Sequence, residues 1–210
     1  MMMQKAWIEA LGWDEELPDH FKMEWKRWLG ELGELGAVRV LRCLKEDMEL
    51  QDVTIHTFSD AFEKAYAAAS YIRHEYEDGT VSTRLVAAES RLAPLKAMSI
   101  PRLERTGALT GLPLTLKICA TLELPRKKAL FWVDSVNVGF WVQGQNRNFK
   151  PFVSHRVGEI HDESSPDQSR YVPTKLNLAD LGTRRASVQA LVKDDCWWYG
   201  PQFLKRRDDQ

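Results

Sequence analysis

The sequence predicts an α/β fold: a mixed sheet, made of a three-stranded antiparallel meander plus parallel strands, with helices packed on it. Three observations predict it. From Gln51 to Ala88 the apolar period is two, and the turn signal Glu77-Asp78-Gly79 falls before the last run of that region. After Pro101 the period becomes helical, and a short apolar run, ALFWV, follows at residues 129–133. Helical and short extended stretches then alternate, so the order is three strands, helix, strand, helices, strand, helix.

Residues 1–50 precede this pattern as a helical lead-in. Trp7, Ile8, Leu11 and Trp13 begin it, and in LPDHFKMEWKRWLGELGEL the residues Phe21, Trp25, Trp28 and Leu29 repeat at helical spacing. So large an aromatic stripe is expected to be buried packing surface. The meander strands are VTIHTF (53–58), AYAAASYI (65–72) and VSTRLVAA (81–88). Pro101 stands where a helix begins, and Leu109, Leu112, Leu116 and Ala120 share one face of that helix. ALFWV is a short buried strand, followed by an amphipathic stretch through Trp141. PFVSHRVGEIHDE opens on Pro151 and predicts another helix, RYV (170–172) a last short strand, and NLADLGTRRASVQALV (177–192) a mixture of helix and loop. The main domain is therefore expected over residues 51–192, with 193–210 as an aromatic C-terminal linker.

Composition narrows the function. At 44% apolar and 28% charged residues the chain is a folded protein with a real core. No apolar run reaches the roughly 20 residues that span a bilayer, and the N-terminus lacks the basic-then-apolar order of a signal peptide. The expectation is a soluble intracellular protein, cytoplasmic or nuclear, with no membrane partner. Cys43, Cys119 and Cys196 suit a reducing compartment, being too few and too scattered for a disulfide framework or a zinc site. A formal net charge of −1 means that any contact with a polyanion must be local. Candidate clusters are Arg102 with Arg105, the run Arg126, Lys127 and Lys128, Arg147 with Lys150, and Arg184 with Arg185. Each also reads as an ordinary solvated charge cluster.

Four acidic residues occupy telling places. Asp60 ends the first strand in HTFSDA, Glu104 lies in the first turn of the long helix, Asp134 ends the buried strand in LFWVDS, and Asp180 opens the last helical segment in NLADLGTR. Singly, each could be a helix cap or a solvated loop acid. Two aspartates at the exits of buried strands, however, stand where α/β sheets place ligands.

The strings TIHTFSDA, RLVAAESRLAPLKAMSIPRLE, LFWVDS, RYVPTKLNLADLGTR and CWWYGPQFL, in that order, resemble the ribonuclease H-like region of BEL/Pao retrotransposon polyproteins. The resemblance covers nearly the whole chain, lead-in included. It implies a ribonuclease H-like fold and two-metal hydrolysis of the RNA strand of an RNA–DNA hybrid during reverse transcription. It also implies Mg²⁺ or Mn²⁺ as cofactor, with the reverse transcriptase domain of the same polyprotein as a possible partner. Residue by residue, Asp60 would bridge two ions, Glu104 and Asp134 would complete one site, and Asp180 would support the other. Asn177 matches the Asn of the family's N-x-A-D string and is expected to fix the loop, with a weaker expectation of nucleic-acid contact shared with Arg126, Lys127 and Lys128. The region is often labelled a Pao retrotransposon peptidase. A retroviral-type aspartic peptidase needs Asp-Thr/Ser-Gly, and the comparable site here reads Asp134-Ser135-Val136.

The departures from the family's pattern are specific. Val133 and Phe62 each replace a serine, Arg185 stands where Gly is usual, and no His near Asp180 offers a mobile proton shuttle. Gly107, Gly111 and Pro113 weaken the long helix and predict a kink after Glu104. A second reading therefore stays open: a catalytically silent, domesticated or decaying remnant that keeps the fold and binds a partner. The other motifs are weaker. His155, Glu159 and His161 lack the order of a zinc helix, His56 alternates with core residues and reads as a structural or solvated histidine, and Trp197, Trp198 and Tyr199 read as packing before base stacking.

Overall fold

The computed structural model describes residues 2–40, 43–62, 64–95, 100–135, 163–184 and 186–206, with the backbone alone for 100–109. The amphipathic stretch through Trp141, the helix expected from Pro151, the histidines His155 and His161 with Glu159, and Arg147, Lys150 and Arg185 lie outside the described residues.

The period-two region forms three long strands, β1 (Leu50–Phe62), β2 (Ala65–Tyr76) and β3 (Val81–Leu92). They pair as an antiparallel meander. The β2–β3 turn closes where Gly79 takes φ 86° and Asp78 Oδ1 accepts bonds from the Thr80 backbone and hydroxyl, both at 2.8 Å. Two short strands complete the sheet: β4 (Ala129–Val133) and β5 (Ser169–Tyr171). The order is β3-β2-β1-β4-β5, with β4 parallel to β1 and β5 parallel to β4. Each strand of the meander runs beyond its apolar alternation. Asp60 consequently lies inside β1, two residues before its end, and not at its exit as the sequence suggested. Ladder hydrogen bonding carries a strand past the point where the burial pattern stops.

Alternation gives the sheet two buried faces. Ile55, Ile72 and Ala129 meet Ile118 and Cys119 of helix α3 (Ile100–Thr121) on one. Phe58, Ala69 and Tyr71 meet Val172, Ala179 and Leu204 from the end of the chain on the other. The α3 face departs from expectation: Ala120 is exposed and Leu116 half-buried, whereas Gly111, Leu112, Thr115 and Ile118 are buried. Its inner stripe is small and hydroxylic because the helix lies very close to β1. A Cβ at Gly111 would come within 2.6 Å of Ser59 Oγ and 3.1 Å of Thr57 Cγ2. Thr115 Oγ1 donates to the Gly111 carbonyl at 2.8 Å, and it meets Thr57 Oγ1, itself 2.8 Å from Ser70 Oγ, at 2.5 Å. Pro113 lies on the exposed side, and the helix continues past it for two further turns.

The opposite face is covered by short pieces: α4 (Asp180–Thr183), α5 (Val188–Val192), α6 (Asp195–Tyr199) and a 3-10 turn over Gln202–Lys205. Buried side chains of the meander hold them. Arg73 Nε donates to the Leu204 carbonyl and Nη2 to that of Arg206, both at 2.9 Å, while Nη1 pairs with Glu75. Tyr71 Oη donates to the Trp197 carbonyl at 2.8 Å, and the Thr83 hydroxyl to that of Tyr199. Residues 193–206, set apart by composition as a linker, thus lie on the sheet and supply Trp197, Phe203 and Leu204 to its core.

The lead-in contains α1 (Met2–Ile8) and α2 (Asp19–Leu32). Its Trp stripe is not buried. Trp7 and Trp13 are 61% and 85% exposed, Trp25 and Trp28 are exposed too, and only Phe21 of α2 is buried. The tryptophans pair with each other, Trp7 edge-on to Trp13 at 6.4 Å and Trp25 against Trp28 at 5.2 Å. Helical spacing establishes an apolar face but says nothing of what covers it. No helix among the described residues is long and apolar enough to cross a membrane.

Candidate acidic active site

Parallel pairing of β1 with β4 assembles the first half of the site. The ladder runs Ile55 with Ala129 to Ser59 with Val133, and Asp60 and Asp134 each follow its last pair. Neighbouring strands lie about 4.8 Å apart, so both acids stand side by side where the parallel pairing ends. His56, Phe58 and Trp132 stack beneath them on the same face, with Phe58 and Trp132 centroids 6.0 Å apart. His56 is buried in that stack, as Phe58 is. Its Nδ1 accepts from Trp132 Nε1 at 3.0 Å, its Nε2 lies 2.9 Å from Thr54 Oγ1, and burial lowers its pKa to about 3, so it is a neutral structural histidine.

Asp180 arrives from the far end of the chain. The segment from β5 is pinned to β1 by Asn177, whose buried amide donates to the Ser59 carbonyl at 2.9 Å and accepts from the Ala179 N–H at 3.2 Å. That is the loop-fixing role expected of it. Helix α4 then begins at Asp180 and packs against β2 so closely that a Cβ at Gly182 would lie 2.7 Å from Ala67 Cβ. Thr183, a residue that sequence reasoning missed, donates to Asp60 Oδ2 at 2.5 Å and to the Asp180 carbonyl at 3.0 Å. Its place three residues after Asp180 was the available signal.

Three carboxylates therefore feel one another. Burial pushes the Asp60 carboxyl up from its ordinary value, the Thr183 hydroxyl pulls it back, and the charges of Asp134 and Asp180 push it up again. Asp180 is balanced locally by Arg184, whose Nε lies 2.6 Å from Oδ1 one helical turn on. Among the described residues, no three His, Cys, Asp or Glu side chains stand together as a metal-binding group. The mutual repulsion still indicates proximity, and with Asp180 on Arg184 and Asp60 on Thr183 these carboxylates are engaged by protein partners. As oxygen donors they have the chemistry that suits a hard divalent cation. Glu104 lies in α3 seven positions, about two turns, before Gly111, and its side chain is outside the described residues.

The basic run sits elsewhere. Arg126, Lys127 and Lys128 form a 3-10 turn that leads into β4, so Lys128 precedes Asp134 by the length of the strand, roughly 20 Å at 3.3 Å per residue. Lys128 pairs with Asp52 at 2.5 Å and Arg126 with Glu163.

Residues 1–135 match a family described as the Pao retrotransposon-like RNaseH-like domain. No curated protein matches the sequence. Similar solved structures include LC11-RNase H1 in complex with an RNA/DNA hybrid, at 15% identity and TM-score 0.43, covering 67% of this chain and 99% of that one. The N-terminal RNase H domain of Rv2228c from Mycobacterium tuberculosis, in a maltose-binding-protein fusion, has 14% identity and TM-score 0.40, covering 63% and 94%. The dRH form of the foamy viral protease–reverse transcriptase in complex with double-stranded DNA has 13% identity and TM-score 0.36, covering 78% and 27%.

Proposed function

From the premise that this chain belongs to the family of Pao retrotransposon-like RNaseH-like domains, we propose that it is a metal-dependent ribonuclease of RNA–DNA hybrids. The observation that carries this reading is that Asp60 within β1, Asp134 just after β4 and Asp180 of a distant helix lie close enough for the latter two to raise the pKa of the first. Mutual repulsion among buried carboxylates destabilises a fold unless a ligand offsets it. Asp60, Asp134, Asp180 and Glu104 would hold divalent cations, Mg²⁺ or Mn²⁺. When bound, such cations lower the pKa of an attacking water and stabilise charge on the leaving oxygen. The protein's own part is to orient. Asn177 fixes the loop that delivers Asp180, Thr183 holds one oxygen of Asp60, and the aromatic layer of Phe58 and Trp132 keeps water from the underside.

The second reading, a catalytically silent binding domain, is favoured by one observation: Asp180 is already neutralised by Arg184. A labelled RNA–DNA hybrid, incubated with Mg²⁺ or Mn²⁺, separates the two. Cleavage that falls by about 100-fold or more in Asp134→Asn is expected. No cleavage by the wild-type domain, despite hybrid binding, would favour the silent domain.

A further inference from the structure

Among the described residues, Arg184 is paired with one of the three carboxylates. Its guanidinium pairs with Asp180 at 2.6 Å and lies over the Phe62 ring, 5.5 Å from the centroid. Phe62 closes β1 two residues after Asp60, and both side chains are open to solvent, Phe62 at 47% and Arg184 at 55%. Arg184 also borders a cavity of about 300 Å³, floored by Ala67 and Ala88 and walled by Gly182 and Trp197, so open space lies beside it.

A carboxylate fully engaged by a guanidinium is a poor ligand for a cation, and one that ligates a divalent cation has little charge left for an arginine. The two states of Asp180 exclude each other. A pair one helical turn apart whose guanidinium is open to solvent is held less firmly than a buried one, so a divalent cation drawn by the acids can displace the arginine. The displaced guanidinium keeps its seat on the Phe62 face through cation–π attraction, with its forked donors freed at the rim of the site. Those donors match a phosphodiester, which a fork binds through two parallel hydrogen bonds.

We propose that Arg184 is an exchangeable latch: it holds Asp180 when the site lacks a cation and, once displaced, binds a backbone phosphate of the nucleic acid. This rests on the metal-dependent reading of the site above. It couples the two ligands: cation binding creates the phosphate contact, and by linkage the phosphate favours the cation.

The experiment has a metal-free arm and a metal arm, both on the full chain. In EDTA, binding of a labelled RNA–DNA hybrid is followed by fluorescence anisotropy across a salt series for wild type, Asp180→Asn, Arg184→Gln and the double variant. Asp180→Asn should release Arg184, raise affinity several-fold and steepen the logarithmic salt slope by about 0.9, the value of one phosphate contact. The double variant should lose most of that gain. If Asp180→Asn raises affinity equally with and without Arg184, the gain is loss of negative charge alone and the latch is overturned. In the metal arm, without nucleic acid, melting is followed against Mg²⁺ concentration. Arg184→Gln should reach half-saturation at several-fold lower Mg²⁺ than wild type, and an unchanged midpoint overturns the exchange. Mg²⁺ that fails to move the wild-type melting temperature overturns the metal-dependent reading and the exchange with it, whereas a normal Mg²⁺ response with no coupling in EDTA overturns the latch alone.

Discussion

The two faces of the sheet are closed by opposite means. On one, a single helix of 22 residues comes to contact distance through Gly111 and joins the strands by a chain of buried hydroxyls, Thr57, Ser70 and Thr115. On the other, α6 and the 3-10 turn after it, too short to hold themselves in water, are tied to the strands by Arg73, Tyr71 and Thr83 through backbone carbonyls. Length stabilises the first cover, and long-range polar bonds replace length in the second. The tied face is also the one on which Asp60, Asp134 and Asp180 meet, so the site depends on the less self-sufficient cover.

The largest test of this contrast is Arg73→Met. It removes the donors that reach Leu204 and Arg206 and strands Glu75, and should cost about 3–5 kcal/mol in urea unfolding. Amide exchange should accelerate first over residues 194–206. A uniform loss of protection across both faces would mean that the tail is no separate cover.

Thr57→Val, on the helical face, leaves Ser70 and Thr115 hydroxyls without their partner and should cost about 1–3 kcal/mol. Protection should here fall mainly in α3.

A matched pair of glycines sharpens the comparison. Gly182→Ala drives a Cβ against Ala67 Cβ, which cannot rotate away, and should cost about 1–3 kcal/mol while weakening Mg²⁺ stabilisation through Asp180. Gly111→Ala meets Ser59 Oγ, which can change rotamer, and gains about 1 kcal/mol of helix propensity, so its net effect should stay under about 1 kcal/mol. Equal costs would erase the distinction between the faces.

The smallest effect is a pH dependence. Because the folded state raises the pKa of Asp60, it holds that proton more tightly than the unfolded chain does. The contribution is present below the ordinary value of 3.8 and is lost as pH rises through the folded value. Without divalent cations, Asp60→Asn should therefore gain melting temperature over wild type as pH rises through the acidic range, and Mg²⁺ should reverse the order. A difference independent of pH would remove Asp60 from the charged cluster.

The α/β class with its mixed sheet was legible in the sequence because alternation and turn chemistry are local, and its ribonuclease H-like kind was legible from the family resemblance of its motifs. ALFWV forms β4 over the residues predicted. What failed depended on partners. The Trp stripe had the spacing of a buried face, but no spacing shows which surface covers it, and Trp7 and Trp13 face water. Gly111 and Pro113 looked like helix defects, yet one permits contact with β1 and the other stands on the exposed side. For the site, the sequence singled out Asp60, Asp134 and Asp180 by their places near element ends, although Asp60 stands within β1, and the side chain of Glu104 lies outside the described residues. The parts played by Thr183 and Arg184 were not legible. A hydroxyl and a guanidinium gain meaning only from the acid that folding sets beside them.

The Arg73 clasp has a consequence for the chain while it is being made. Synthesis runs from the N-terminus, so the meander and α3 leave the ribosome well before residues 204–206 do. Until then the guanidinium lacks the Leu204 and Arg206 carbonyls, and Phe58, Tyr71 and Ala69 lack the part of their cover that Leu204 supplies. A chain ending before them would leave that part of an apolar sheet face open to water, a kind of surface that chaperones and proteases recognise. The Leu204 and Arg206 carbonyls can therefore fasten this face only after the segment that carries Asp180 has been made.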